Sequence, residues 1–242
     1  MYEKNGIVYP RCTDIISDCT NKSGGLVQWA ANQAVEWIRE KCRYQWRTTT
    51  TQGIQCLCSD EHLEQARFAY KYTSKIARDV GSDVHNAIEK HLKGESYTLV
   101  STQAESAFNA FLEWELEVDL DPIHLEQPVW GDRWAGTLDF YGWYKNKLYV
   151  IDWKTSKAFY PEMRYQVAAY QYATTEKAYR EQGDMGMVPG GCGVLMLDKE
   201  TGMPTFKDTS KTYEKDLETF NKMVELYFLR HPRIAKRFEK GE

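Results

Sequence analysis

Between Gly136 and Lys154 the chain carries two apolar, aromatic-rich runs, Trp134–Tyr144 and Lys147–Lys154, divided by a polar break at Lys145-Asn146-Lys147. Strong β-formers on both sides of a two- or three-residue turn read as a β-hairpin. Asp139, Asp152 and Lys154 stand inside those strands, three charges in otherwise apolar sequence. Because side chains alternate along a strand, Asp152 and Lys154 leave the same face, and the neighbouring strand can bring Asp139 beside them. Two carboxylates and an ammonium on one sheet face are costly unless something offsets them, and a divalent metal does so. A solvated face over apolar packing is the alternative, since charged residues are mostly exposed. Two features favour the buried reading. Leu148-Tyr149-Val150-Ile151 is a continuous apolar run of the kind found in strands covered on both faces. Gly136 is a poor strand residue that suggests close approach by another backbone or a ligand.

The flanking sequence builds an α/β domain around this hairpin. Residues 1–24 read as a short strand or loop (Ile7-Val8-Tyr9-Pro10), and Leu26–Trp46 as a helix with Val27, Ala30, Ala34, Trp37 and Ile38 at helical spacing. A connection at 48–60 follows, then a long helical region from Glu61 to Lys93. Its core stripe is Ile76, Val80, Val84, Ile88 and Leu92, with His85 adjoining. A histidine there is either a hydrogen-bonded core residue or a ligand. Gln103–Val118 reads as a helix, and Leu125–Trp130 as a strand leading into the hairpin. Pro161 suits a first helical position, and that helix runs to about Glu181 with Gln166 and Tyr170 one turn apart on one face. Cys192–Leu197 reads as a buried strand, Pro204–Thr209 as its partner and Tyr213–Leu229 as a final helix. The order helix, three strands, helix, strand gives a mixed central sheet. The domain reading is an N-terminal helical extension over 1–60, a core over 61–230 and a charged tail over 231–242.

Composition narrows the classes. The chain has 242 residues, enough for one domain with a sizeable core, and a formal net charge of −4, which does not advertise a nucleic-acid binder but permits a local basic groove. No apolar run approaches the roughly 18 residues of a membrane span, and Met1–Gly6 has neither a signal-peptide nor a transit-peptide pattern, so a soluble, cytoplasmic protein is expected. The six cysteines, at 12, 19, 42, 56, 58 and 192, read as thiols, and the Cys56/Cys58 spacing is not that of a zinc knuckle.

Taken in order, His85 on a helix, Gly136-Thr137-Leu138-Asp139, Ile151-Asp152-Trp153-Lys154-Thr155-Ser156 and Gln166-Val167-Ala168-Ala169-Tyr170 resemble the motifs of the RecB-type branch of the PD-(D/E)XK nuclease superfamily. The mitochondrial genome maintenance exonucleases, the CRISPR-associated RecB-like exonucleases and phage-encoded members are the relatives in view. The resemblance covers about 75–210. It implies a restriction-endonuclease-like αβββαβ core with an N-terminal helical elaboration, in the cytoplasm of a bacterial or phage-infected host cell. It also implies roles. His85, Asp139, Asp152 and the main-chain carbonyl of Trp153 would hold the metal. Lys154 would position or help activate the attacking water and stabilise charge on the phosphate. Gln166 and Tyr170 would orient the site or touch the DNA backbone, although helix-to-sheet packing also accounts for them. Glu126, on the preceding strand, would be an extra acid behind the ligands. Many relatives build an iron–sulfur cluster from one upstream and three downstream cysteines; only Cys192 follows Lys154 here, so no such cluster is expected.

Phosphodiester hydrolysis agrees with the residues. Magnesium or manganese, held by hard carboxylate oxygens, generates a nucleophile from water and cancels charge on the transition state; one imidazole suits manganese. The expected activity is that of a Mg/Mn-dependent exonuclease acting on single-stranded DNA ends in replication, recombination or repair. The same residues would serve an endonuclease or flap-trimming enzyme. A non-catalytic DNA-end-binding recombination partner is the reading from a different class, and the presence of Asp139, Asp152 and Lys154 together argues against it.

Overall fold

The computed structural model describes residues 2–20, 23–42, 59–182 and 188–240. It divides into two compact units, Asn21–Asp79 on one hand, and Met1–Thr20 with Val80–Glu242 on the other. The unit boundaries fall at 20/21 and 79/80, whereas the sequence reading divides the chain at 60/61 and 230/231. The connection at 48–58 with Cys56 and Cys58 lies outside the described residues.

The larger unit is built on a five-stranded sheet in the order β3-β4-β5-β6-β7: β3 (Leu120–Trp130), β4 (Ala135–Tyr144), β5 (Lys147–Lys154), β6 (Gly191–Leu197) and β7 (Pro204–Asp208). All neighbours are antiparallel except β5 and β6, which are parallel because α6 (Pro161–Gln182) carries the chain between them. The fold is α/β with a mixed sheet. The β4–β5 hairpin closes on Lys145 (φ 50°) and Asn146 (φ 62°) between the paired Tyr144 and Lys147. Two left-handed residues make a tight turn whose twist matches that of the strands. Every residue of β6 is buried, and β4 and β5 are buried nearly throughout, as central strands require.

Alternation sorts the side chains into two cores. Leu148, Val150, Val194 and Met196 face α6, together with α1 (Cys12–Cys19) and α7 (Tyr213–Arg230). Tyr149, Ile151, Trp153, Leu195 and Leu197 face Val80, Val84 and Ile88 of α4 (Ala69–Leu92) and the α5 helix (Thr102–Leu116), which contributes Phe108, Phe111 and Trp114. Within the smaller unit, α2 (Ser23–Cys42) and α3 (Asp60–Arg67) pack together, and Trp37 lies against His62 with ring centroids 6.1 Å apart.

Several local readings need correction. The N-terminal stretch is a β1–β2 hairpin (Tyr2–Lys4 and Ile7–Tyr9) turned on Asn5-Gly6, both at positive φ, followed by α1. Asn-Gly is a strong hairpin signal, and Cys12, Ile15 and Ile16 bury one face of α1 at helical spacing. The helical region read as continuous from Glu61 is two helices that part at Phe68, and Ile76, placed in the core stripe, is 39% exposed. The β3 strand starts at Leu120, five residues early. It tolerates Pro122 because it is an edge strand with a register shift between Pro122 and His124. The charged tail is a helix, α8 (Pro232–Lys240), whose Ile234, Ala235 and Phe238 pack against the core.

Candidate metal centre

The hydrogen-bonded ladder between β4 and β5 ends at Phe140–Ile151. Just past it, where the strands part, the charged residues collect. The Asp139 Oδ2 accepts from the Trp153 backbone N–H at 2.7 Å, so a buried carboxylate bridges the opening instead of another rung of the ladder. Strand β3 contributes Glu126 between the pairs Leu125–Phe140 and Gln127–Leu138, opposite Asp139. Glu126 has φ 46°, a left-handed conformation that costs an ordinary residue about 1–2 kcal/mol. Such strain gathers at sites that use it.

The second half of α4 brings His85 to the same place. Its Nδ1 lies 3.4 Å from Asp139 Oδ1 and 3.5 Å from Glu126 Oε1, and its Nε2 lies 3.1 Å from the Trp153 carbonyl oxygen. Both ring nitrogens thus face acceptors, which suits the imidazolium. Burial disfavours that charged form, but the Asp139 and Glu126 carboxylates outweigh burial and raise the His85 pKa to about 10. Burial also pushes the Asp139 carboxyl up, and His85 reverses this, holding Asp139 below its ordinary value. One ligand atom each from His85, Glu126 and Asp139 lie within 4.8 Å of one another, and this group could hold a metal ion.

Asp152 and Lys154 alternate with Ile151 and Trp153, so they leave the sheet on the α6 side. They pair with each other: the half-buried Lys154 Nζ meets Oδ2 of the buried Asp152. Burial raises the Asp152 pKa to about 6, partly countered by Lys154. Burial pulls the Lys154 ammonium down, but Asp152 and Asp139 more than restore it, so its pKa is raised and it stays charged at neutral pH. The α6 helix adds Gln166, whose Nε2 donates to Asp152 Oδ1 at 3.0 Å and to the Tyr170 hydroxyl at 3.1 Å. Gly136 has a role here that its sequence suggests only in outline. The neighbour approaching it is a side chain, not a backbone: a Cβ on Gly136 would lie 2.6 Å from Tyr170 Cε1 and 2.8 Å from its hydroxyl.

Of the residues singled out in the sequence, His85, Asp139 and the Trp153 carbonyl come together. Glu126, expected behind the ligands, stands in the same group as His85 and Asp139. Asp152 lies outside that three-residue group, engaged by Lys154 and Gln166. Two neighbours escaped the sequence reading. Buried Cys12 is close enough to Asp152 and Lys154 for their charges to act on its thiol, which burial pushes well above its ordinary pKa. The Tyr2 hydroxyl lies 2.8 Å from Thr137 Oγ1, two residues before Asp139. The Asn5-Gly6 turn was the signal that could have placed Tyr2, whereas the helical spacing of Cys12 with Ile15 and Ile16 marks a buried face but not its nearness to Asp152.

The donor set fits a hard divalent cation. It offers two carboxylates and, once the ion displaces its proton, one imidazole nitrogen, with the Trp153 carbonyl at the other ring nitrogen; Glu126 Oε1 is buried with no hydrogen-bond partner. Oxygen donors suit magnesium, and the added nitrogen suits manganese. Compared with protein-family models and with curated proteins, the chain matches none. Among the described residues, no helix is long and apolar enough to cross a membrane.

Proposed function

We propose that this chain is a Mg2+- or Mn2+-dependent deoxyribonuclease of the RecB-type PD-(D/E)XK kind, an exonuclease that hydrolyses phosphodiester bonds at single-stranded DNA ends. The supporting observation is the convergence, at the parted end of the β4–β5 hairpin, of the His85–Glu126–Asp139 group with the Asp152–Lys154 ion pair. The order of sheet and helices, with α4 on one face and α6 on the other, is compatible with a restriction-endonuclease-like core.

In this reading His85, Glu126 and Asp139 hold the cation, and the Trp153 carbonyl and Asp152 stand beside them. When bound, the cation supplies Lewis acidity and lowers the pKa of water. Lys154 keeps its proton at neutral pH, which favours a role as a compact point charge on a non-bridging phosphate oxygen over proton abstraction. Asp152, titrating near 6, is mostly ionised at pH 7.5 and keeps the Lys154 ammonium in place. Gln166 fixes the Asp152 carboxylate, and Tyr170 fixes Gln166.

The test is cleavage of end-labelled linear and circular DNA, single- and double-stranded, with magnesium, manganese or EDTA. Wild type is expected to degrade linear single strands with either metal, spare circles and stop with EDTA. Asp139→Asn and Lys154→Gln are expected to lower the rate by about 100-fold or more, the scale of losing one electrostatic contact in a transition state. Cutting of circles would move the activity to an endonuclease. DNA binding without cleavage under any metal would overturn the enzyme reading in favour of an end-binding partner.

A further inference from the structure

Away from the charged group, a cavity of about 490 Å3 opens between the β1–β2 hairpin, α1 and the C-terminal helices α7 and α8. Tyr9, Pro10, Tyr227 and Ile234 are among the residues that line it, Tyr227 being largely buried. The Tyr9 ring is held edge-on against Phe238 at 5.0 Å, and Tyr227 packs on His231 at 4.4 Å, so each aromatic has a fixed neighbour. The charges lining it do not cancel. Arg11 is neutralised by a two-point contact with Asp14, both bonds 2.8 Å. Among the described residues Arg237 has no ion-pair or hydrogen-bond partner, so the lining residues carry one net positive charge.

The chain that lines this cavity is tied to the reacting end of the sheet. The Pro10 carbonyl accepts from Ala135 N–H at 3.0 Å, and Arg11 bridges to Ala135, the first residue of β4. Asp139 lies four residues further along that strand, about 14 Å at 3.4 Å per residue. That separation is a few nucleotides of a strand, which rises about 3.4 Å per stacked nucleotide. On the inner side of the same turn, Cys12 feels the charges of Asp152 and Lys154.

We propose that this cavity is a nucleotide subsite, taking one nucleoside monophosphate unit of the DNA strand whose phosphodiester lies at the His85–Glu126–Asp139 group. The volume falls in the usual range for a small-ligand pocket of about 300–1000 Å3. The aromatic and proline walls suit a base, since stacking on aromatic side chains is the sequence-tolerant way to hold one. Arg237 supplies the partner for a single phosphate, by the charge-assisted hydrogen bonds arginine makes best. A purely apolar ligand would make no use of the exposed Arg237, and a bare anion would leave the aromatic walls unused.

The subsite rests on the nuclease reading for its place on the strand, and the experiment separates the two. Thymidine monophosphate, thymidine and inorganic phosphate are titrated calorimetrically into the full chain in EDTA, using wild type, Asp139→Asn, Arg237→Gln and Val8→Glu. Val8 lines the cavity, and the last variant sets a carboxylate against the phosphate. Thymidine monophosphate is expected to bind wild type and Asp139→Asn alike, and at least about tenfold more tightly than thymidine or phosphate alone. Arg237→Gln and Val8→Glu each weaken it by about tenfold or more, the scale of one charged hydrogen bond. Undetectable binding, equal binding to Arg237→Gln, or phosphate binding as tightly as the nucleotide would overturn the subsite. If wild type and Arg237→Gln degrade DNA equally with equal KM, the subsite fails while the nuclease reading stands. Nucleotide binding lost in Arg237→Gln, in a protein that cleaves nothing, would remove the nuclease reading and leave the subsite.

Discussion

Gly136→Ala tests how the site is supported without invoking a metal. The added Cβ would sit 2.6, 2.8 and 3.0 Å from Tyr170 Cε1, hydroxyl and Cζ. Ordinary carbon contacts begin near 3.5 Å, so the nearest ring atom, at 2.6 Å, would have to withdraw by close to an ångström. It has little room: Tyr170 is buried, its ring lies over Trp134 at 6.3 Å and its hydroxyl accepts from Gln166. Overpacking of this kind costs about 1–3 kcal/mol. Losing the Gln166 bond adds about 1 kcal/mol. Against this, Gly→Ala lowers the entropy of the unfolded chain by about 0.4–1 kcal/mol. The net expectation is a loss of roughly 1–3 kcal/mol, or a Tm lower by about 2–4 °C for each kcal/mol at this chain length. Urea unfolding should show a lower midpoint at unchanged slope. The deciding control is a double-mutant cycle with Tyr170→Leu, which removes the obstructing atoms. In that background Gly136→Ala should be close to neutral, giving a coupling of at least about 1 kcal/mol. A neutral Gly136→Ala in wild type, or strict additivity with Tyr170→Leu, would refute the argument.

Metal binding should appear in stability before it appears in activity. Manganese at about 100 times its Kd is expected to add about 2.7 kcal/mol, read as a rise in Tm over EDTA; Asp139→Asn should abolish the rise and Glu126→Gln should shrink it, and a full rise in both would exclude the His85–Glu126–Asp139 group as the holder. In EDTA, His85 predicts the pH profile. Its folded pKa of about 10 lies above the unfolded value near 6.5, so its contribution is complete below about pH 6.5 and is lost as pH rises toward 10. At about 1.36 kcal/mol per pH unit between those two values the loss reaches roughly 5 kcal/mol. Urea midpoints measured from pH 6.5 to 10 should therefore fall more steeply for wild type than for His85→Gln, and parallel curves would sink the assignment.

The sequence by itself determined much of this protein, and it did so wherever the information is local. Two runs of β-formers around Lys145-Asn146 define the hairpin, because a tight turn needs only its own residues. The alternation of Leu148–Lys154 put Asp152 and Lys154 on one face, because the period of a strand is two. Pro161 opened α6, and one helical turn aligned Gln166 with Tyr170. The tertiary structure decided the rest. Glu126 joins His85 and Asp139 only because an edge strand shifts register near Pro122 and then takes a left-handed residue at Glu126, neither of which any local pattern fixes. Asp152, adjacent in sequence to the Trp153 carbonyl that meets His85, instead turns to Lys154 and Gln166, a choice set by which helix covers which face of the sheet. The exposed Ile76 and buried Cys12 make the same point about the core. Periodicity says that a face is apolar, but burial depends on what the rest of the chain brings to cover it.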